Sequence, residues 1–317
     1  MILLPHEVII LRIISVFTLC ISVIVYMKGY QLPVVIFCIN VLLALCFIGI
    51  GQLIRRSSRQ IDNRDAESAL ITIFGILIAL KLIFGFVITS LFPISFPRID
   101  HILIQIDSIF GFQWQEVVTY FSHIPYSSEI MSPIYQSISI QVLVIIIALS
   151  YTNRMHELGI FLLTGILGVL ICLAVWFLFP SFGPASVYDL PDDVLARMPI
   201  GADPDYGKYL EKLSVEGLEG ANRSLDKGTV AFPSYHMTLA LMCVAFSRPF
   251  KKLWPFFIAL NILMVPCIIV QGGHHLIDLF GGIALFFVAY ICSVKLMHKV
   301  SAPVTNLGSE SEAATVI

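Results

Sequence analysis

The sequence predicts an all-α protein, a polytopic bundle of about eight transmembrane helices. Hydrophobic residues fill 58% of the 317 positions and charged residues only 13%. A soluble domain is about half apolar and about a quarter charged. Mean hydropathy is +0.91, and the apolar residues fall in long runs rather than in alternating patterns. The formal net charge of -2 comes from charges segregated into loops, and no basic tract suits a nucleic acid.

The apolar runs predict spans at about 8–27, 31–53, 68–92, 134–151, 157–179, 234–247, 253–271 and 275–297. The first, Val8 to Met27, has the length of a bilayer crossing, and no small-residue cleavage site follows it. It reads as a membrane span rather than a signal peptide. The sixth is short and polar at its outer end, which is tolerated where a helix lines a protein-enclosed cavity. The seven cysteines all lie inside apolar segments, with no C-x-x-C pair, and read as packing residues.

Basic residues set the orientation. Arg55, Arg56, Arg59 and Arg64 follow span two, Arg154 follows span four, and Arg248, Lys251 and Lys252 follow span six. Lys295 and Lys299 lie near the end of span eight. With eight spans all four groups fall on one side, predicting cytoplasmic termini. The other side faces the periplasm or exterior, or a lumen. Two long loops are expected there. Residues 93–133 mix apolar, polar and aromatic residues (Asp100 to Asp107, then Phe110, Phe112 and Trp114) and predict an interfacial helix, an anchor or lid. Residues 181–233 are polar and charged and predict a lid or irregular excursion. The segment 1–92 reads as accessory N-terminal helices, 93–300 as the catalytic membrane domain, and 301–317 as a disordered cytoplasmic tail.

Two motifs on the outer side carry chemistry: Phe232-Pro233-Ser234-Tyr235-His236 and Gly272-Gly273-His274-His275-Leu276-Ile277-Asp278. His274 and Asp278 are four residues apart and share a helix face. A carboxylate so placed orients an imidazole and stabilises its charged form. A second histidine, His236, can then act as acid or base.

These residues resemble the type 2 phosphatidic acid phosphatase (PAP2) superfamily, most closely its inositolphosphorylceramide-synthase branch, which shows F-P-S-x-H followed by G-H-x-x-x-D. The resemblance is specific over 232–282 and weaker over about 95–231. It implies a six-helix PAP2-like core, no cofactor and no metal. It also implies catalytic roles: His274 as the nucleophile that becomes phosphohistidine, Asp278 as the carboxylate behind it, and His236 as the general acid. The implied activity is integral-membrane phosphoryl transfer on a lipid phosphate or phosphodiester. The acceptor is a lipid alcohol or polyol in a synthase-like (inositolphosphotransferase-like) enzyme, or water in a lipid phosphate phosphatase.

Substrate-binding candidates are Ser234, Tyr235, Gly273 and His275, with Arg223 and Lys227 as the nearest cations before the first motif. Cations are sought there because the sequence departs from the phosphatases. The only Arg-Pro is Arg248-Pro249, on the wrong side, and Cys267 and Ile268 stand where the phosphatases carry Ser-Arg. His275 occupies a position that is usually aromatic in the family, and reads either as a support behind the reacting groups or as facing the substrate. Phe179-Pro180-Ser181-Phe182-Gly183-Pro184 reads equally as a helix stop and as a cavity wall. A non-catalytic lipid carrier would place ionisable residues near the bilayer midplane and often show an inverted repeat. Only Lys81, in mid-span three, favours that alternative.

Overall fold

The computed structural model describes residues 4–27, 34–57, 64–94, 96–198, 204–217 and 229–301. They form thirteen α-helices and one 3-10 turn, with no strand among them. The helices are α1 (Pro5–Met27), α2 (Val34–Ser57), α3 (Arg64–Leu91), α4 (Asp100–Ile109), α5 (Trp114–Ser122), α6 (Ser127–Gln136), α7 (Ile138–Tyr151), α8 (Met155–Leu178), α9 (Asp192–Arg197), α10 (Pro204–Glu216), α11 (Tyr235–Ser247), α12 (Leu253–Val270) and α13 (Leu276–Ser301). The 3-10 turn is Pro184–Ser186.

Six stretches among the described residues are long and apolar enough to cross a membrane: His6–Ile24, Phe37–Ser57, Ser127–Tyr151, Met155–Leu178, Leu253–Val270 and Leu276–Lys299. The other two expected spans correspond to α3, a helix of 28 residues, and α11, a shorter apolar helix of 13. The third of the six unites α6 and α7 and starts at Ser127 rather than near 134. Polar Ser127, Ser128, Glu129 and Ser132 hide its first two turns from a hydropathy reading.

Small residues let the helices approach, the usual device where lipid tails supply no hydrophobic drive to association. In the α2–α3 hairpin, a Cβ at Gly51 would lie 2.8 Å from the Ser68 carbonyl, and one at Gly75 would lie 2.7 Å from that of Ala44. Ser68 Oγ donates to the Gly51 carbonyl at 2.8 Å. Polar side chains also join helices inside the bilayer. Asn261 Nδ2 of α12 donates to Gln141 Oε1 of α7 at 2.7 Å. α11 packs among α7, α8, α12 and α13, and α8 lies along α13.

The bundle has two chemically different ends. At one, Arg55 at the end of α2 grips the buried Glu7 of α1 through two hydrogen bonds of 2.7 and 2.8 Å. His6 packs on Gly159 near the start of α8, beside Met297 near the end of α13. The chain ends of α2, α11 and α13 and the chain starts of α1, α8 and α12 therefore gather here. They bring Arg55, Arg154, Arg248, Lys252 and Lys299 to the same end. The opposite end holds the chain starts of α11 and α13 and the chain ends of α8 and α12, which carry both sequence motifs.

The segment 93–133 is not one interfacial helix. It folds as α4, α5 and the first part of α6. Asp100, Leu103 and Asp107 form a buried stripe on α4 at helical spacing, while Ile102, Ile109 and Phe110 stay exposed. Within 181–233, residues 181–185 are buried, Asp189 is exposed, and α9 and α10 follow; 199–203 and 218–228 lie outside the described residues. The tail expected at 301–317 also lies outside them, Ser301 excepted.

Candidate active site

The two motifs meet through backbone. Ser234 N–H donates to the Asp278 carbonyl at 3.0 Å, and Thr238 Oγ1 donates to the Gly282 carbonyl at 2.9 Å. The approach needs glycine in α13. A Cβ at Gly282 would sit 2.4 Å from the Ser234 carbonyl, and one at Gly281 would sit 2.8 Å from Phe232. Ser234 caps α11, its hydroxyl accepting from Met237 N–H at 3.4 Å.

His274 Nδ1 lies 3.0 Å from Asp278 Oδ2. That oxygen also accepts the His275 N–H at 2.9 Å, and the other carboxylate oxygen is buried without a hydrogen-bond partner. Asp278 is 0% exposed and His274 4%. With Nδ1 engaged by the carboxylate, Nε2 is the ring nitrogen left for chemistry. His274 and His236 line one cavity of about 640 Å³. His236 is stacked on Tyr135 of α6, ring centroids 4.3 Å apart and planes 19° apart, with the Tyr135 hydroxyl 3.3 Å from His236 Nδ1.

Two kinds of residue line the cavity. Besides the histidines, polar groups come from Tyr135, Gln136, Ser139, Thr229 and Gln271. Apolar surface comes from Phe84 and Ile88 of α3, Val169 and Leu173 of α8, Phe182 and Val230. Phe182 shows that the Phe179–Pro184 element both stops α8, which ends at Leu178, and walls the cavity. Lys81 is exposed on the bundle surface and does not line the cavity.

The sequence-derived candidates divide. His236, His274, Tyr235 and Gly273 line the cavity. Tyr235 points its hydroxyl to the Gly165 carbonyl at 2.8 Å, so that group is already committed. Ser234 is fully buried as a helix cap and is absent from the lining. His275 is 1% exposed and turns away from the cavity toward α4. Arg223 and Lys227 lie outside the described residues.

Around His275 stands a group of residues that sequence reasoning did not single out. Asp100 Oδ1 lies 3.6 Å from His275 Nε2, and Asp107 Oδ2 lies 3.6 Å from Nδ1. Those are ion-pair distances, too long for hydrogen bonds. Asp100 also accepts Ser181 Oγ at 2.8 Å, Phe182 N–H at 3.1 Å, Gly183 N–H at 3.0 Å and Arg98 Nε at 2.9 Å. Asp107 accepts the first two N–H groups of α13, Leu276 at 2.9 Å and Ile277 at 3.0 Å. A carboxylate there satisfies orphan donors and complements the helix dipole. Arg98 also bonds Ser186 Oγ, pairs with Glu211 at 3.1 Å, and lies 4.9 Å from the Phe182 ring centroid. A signal was present in the sequence: Asp100 and Asp107, seven residues apart on one face of an apolar helix, are a costly pair unless cations face them.

Burial would lower the His275 pKa, but the two carboxylates raise it to about 9. Burial would raise that of Asp100, and His275, Arg98 and Ser181 hold it below its ordinary value instead.

The loop after α8 fits this group closely. Gly183 has φ +84, and a Cβ there would lie 2.3 Å from the Gly273 carbonyl. Gly183→Ala is expected to destabilise the protein by about 1–3 kcal/mol. Gly111→Ala, also at positive φ (+68) but in open space, should cost at most about 1 kcal/mol. Thermal unfolding in detergent compares the two.

A family model described as the PAP2 superfamily matches residues 101–292. The chain belongs to the PAP2 superfamily. The match runs from α4 into α13 and takes in both motifs, Asp107 and Tyr135. It leaves α1, α2 and α3 outside, although α3 of this PAP2 protein lends Phe84 and Ile88 to the cavity. Membership supports phosphatase- or phosphotransferase-type chemistry on a lipid phosphate. No curated protein and no solved structure matches the chain.

Proposed function

We propose that the protein transfers a phosphoryl group from a membrane lipid phosphate or phosphodiester through a phosphohistidine at His274, and that a lipid alcohol or polyol is the preferred acceptor. The carrying observation is the 3.0 Å His274–Asp278 pair facing one cavity with His236. His274 Nε2 attacks phosphorus, and the bond from phosphorus to the lipid oxygen breaks. Asp278 offsets the positive charge that develops on the ring, and His236 gives its proton to the departing oxygen. In the second step His236 takes a proton from the acceptor hydroxyl. The acceptor oxygen bonds to phosphorus, the P–N bond breaks, and His274 is restored.

Several features favour an alcohol over water. The motifs have the synthase form, and Cys267 and Ile268 stand where the phosphatase pattern has Ser-Arg. Gln136, Ser139, Thr229 and Gln271 offer neutral hydrogen-bonding groups suited to hydroxyls, and no Lys or Arg is among the described lining residues. The alternative within the same chemistry is a lipid phosphate phosphatase, with water as acceptor. The basic residues gathered at the end opposite His274 favour cytoplasmic termini and a site facing the exterior, periplasm or lumen.

The test is a panel of phosphatidic acid, phosphatidylinositol and isoprenoid pyrophosphate presented with polyol and lipid-alcohol acceptors to the purified chain. Transfer predicts a new phospholipid without stoichiometric phosphate release. Phosphate release alone selects the phosphatase. Turnover of no member by folded protein contradicts the enzymatic assignment and favours a carrier.

The apolar wall is read as the seat of the lipid chain. Ile88→Trp is therefore expected to lower kcat/KM for a long-chain lipid by about 10-fold relative to its short-chain analogue. An equal loss on both would remove α3 from chain recognition.

A further inference from the structure

We infer that His275 is a positioning residue for phosphoryl transfer: an imidazolium pinned between Asp100 and Asp107 that locks the His274 loop onto α4. The inference rests on the function proposed above.

The geometry leaves His275 no other role. Its ring is 1% exposed, outside the cavity, and flanked by a carboxylate at 3.6 Å on each nitrogen. A neutral imidazole presents one donor and one acceptor, and an acceptor nitrogen facing a carboxylate is repelled. Only the doubly protonated ring satisfies both sides. Both carboxylates also hold other groups: Asp107 the backbone N–H groups at the α13 start, and Asp100 the Ser181 hydroxyl, the Phe182 and Gly183 N–H groups and Arg98. The ring thus joins three segments at one point, each next to the reacting group. His274 precedes it in the chain, the α13 start carries Asp278, and Gly183 abuts the Gly273 carbonyl.

Charges alternate through the group. Arg98 and His275 are positive, and Asp100, Asp107 and Asp278 face His275 from α4 and α13; His274 is the neighbouring ring. The His275 pKa is raised to about 9 against an ordinary 6.5, so its contribution is complete below 6.5 and is lost as pH rises through about 9. Asp100 is depressed below its ordinary 3.8, so its contribution is present above that value and is lost only at lower pH.

The experiment uses the full chain in detergent, with His275→Gln, Asp107→Asn and the double variant. Misplacement of His274 predicts a kcat fall of about 10- to 100-fold with KM little changed. The alkaline limb of the wild-type rate, near pH 9, should disappear in His275→Gln. The double variant should lose no more than the worse single one. Wild-type kcat and an unshifted alkaline limb in His275→Gln would overturn the inference. A second arm needs no turnover: nitrogen NMR of histidine-labelled protein, with His275→Gln for assignment. The His275 ring should stay doubly protonated until about pH 9 and lose its proton at lower pH in Asp107→Asn. A ring already neutral at physiological pH would refute the pin even if the lipid substrate were wrongly chosen.

Discussion

His274→Ala should abolish lipid turnover, by about 10⁴-fold or more, while leaving the bundle folded. The magnitude follows from what is removed. Among the described residues, His274 alone supplies a cavity-lining ring nitrogen with a carboxylate behind it, Nδ1 being held by Asp278 at 3.0 Å. A lipid phosphate is a poor electrophile because its own oxygens repel an incoming nucleophile, and no neighbouring group is set to replace the ring. His275 cannot substitute, since its nitrogens face Asp100 and Asp107. The truncation leaves Asp278 buried without its partner, so some stability is also expected to be lost. Comparing thermal unfolding of the variant with that of wild type separates that cost from the chemical one. Residual turnover within about 10-fold of wild type would place the nucleophile elsewhere.

His236→Gln should lower kcat by about 10²- to 10⁴-fold, and the loss should depend on the leaving group. An aliphatic alkoxide needs a proton as it departs; an aryl oxide does not. With an aryl phosphate ester, the variant should form phosphoenzyme at nearly the wild-type rate and then stall, because the acceptor hydroxyl still lacks its base. With a glycerolipid phosphate, both steps should be slow. Tyr135 holds His236 in register by stacking at 4.3 Å and by its hydroxyl at 3.3 Å. A loss independent of leaving group would mean that His236 serves packing or binding and not proton transfer.

Much of this was legible in the sequence, for identifiable reasons. The His274–Asp278 relation is a local helical spacing, so it survives any tertiary arrangement. That Arg55, Arg154 and Lys252 fall at one end of the bundle follows from span parity. The partners of His275 were not legible in the same way. Asp100 and Asp107 lie about 170 positions away, and their segment has the polarity of an interfacial helix; only the fold turns their face inward. Tyr135 was hidden similarly: it falls at the start of the predicted span 134–151, and nothing in that span's pattern marks it as the partner of His236. The assignment of α3 to an accessory group followed from its lack of motifs. Phe84 and Ile88 reach the cavity through packing, which leaves no mark on composition. Gly183 was visible only as part of the Phe179–Pro184 element, and its abutment on Gly273 depends on two distant loops meeting.

The most direct test of the central claim is to trap the phosphoenzyme. Purified protein would be mixed with radiolabelled lipid phosphate from the panel, quenched in base during the first turnover, and analysed for protein-bound phosphorus. Phosphoryl transfer through His274 predicts a base-stable, acid-labile label on the peptide containing His274, present in wild type and absent from His274→Ala. Turnover of the lipid with no protein-bound label, or an undiminished label on His274→Ala, would contradict it.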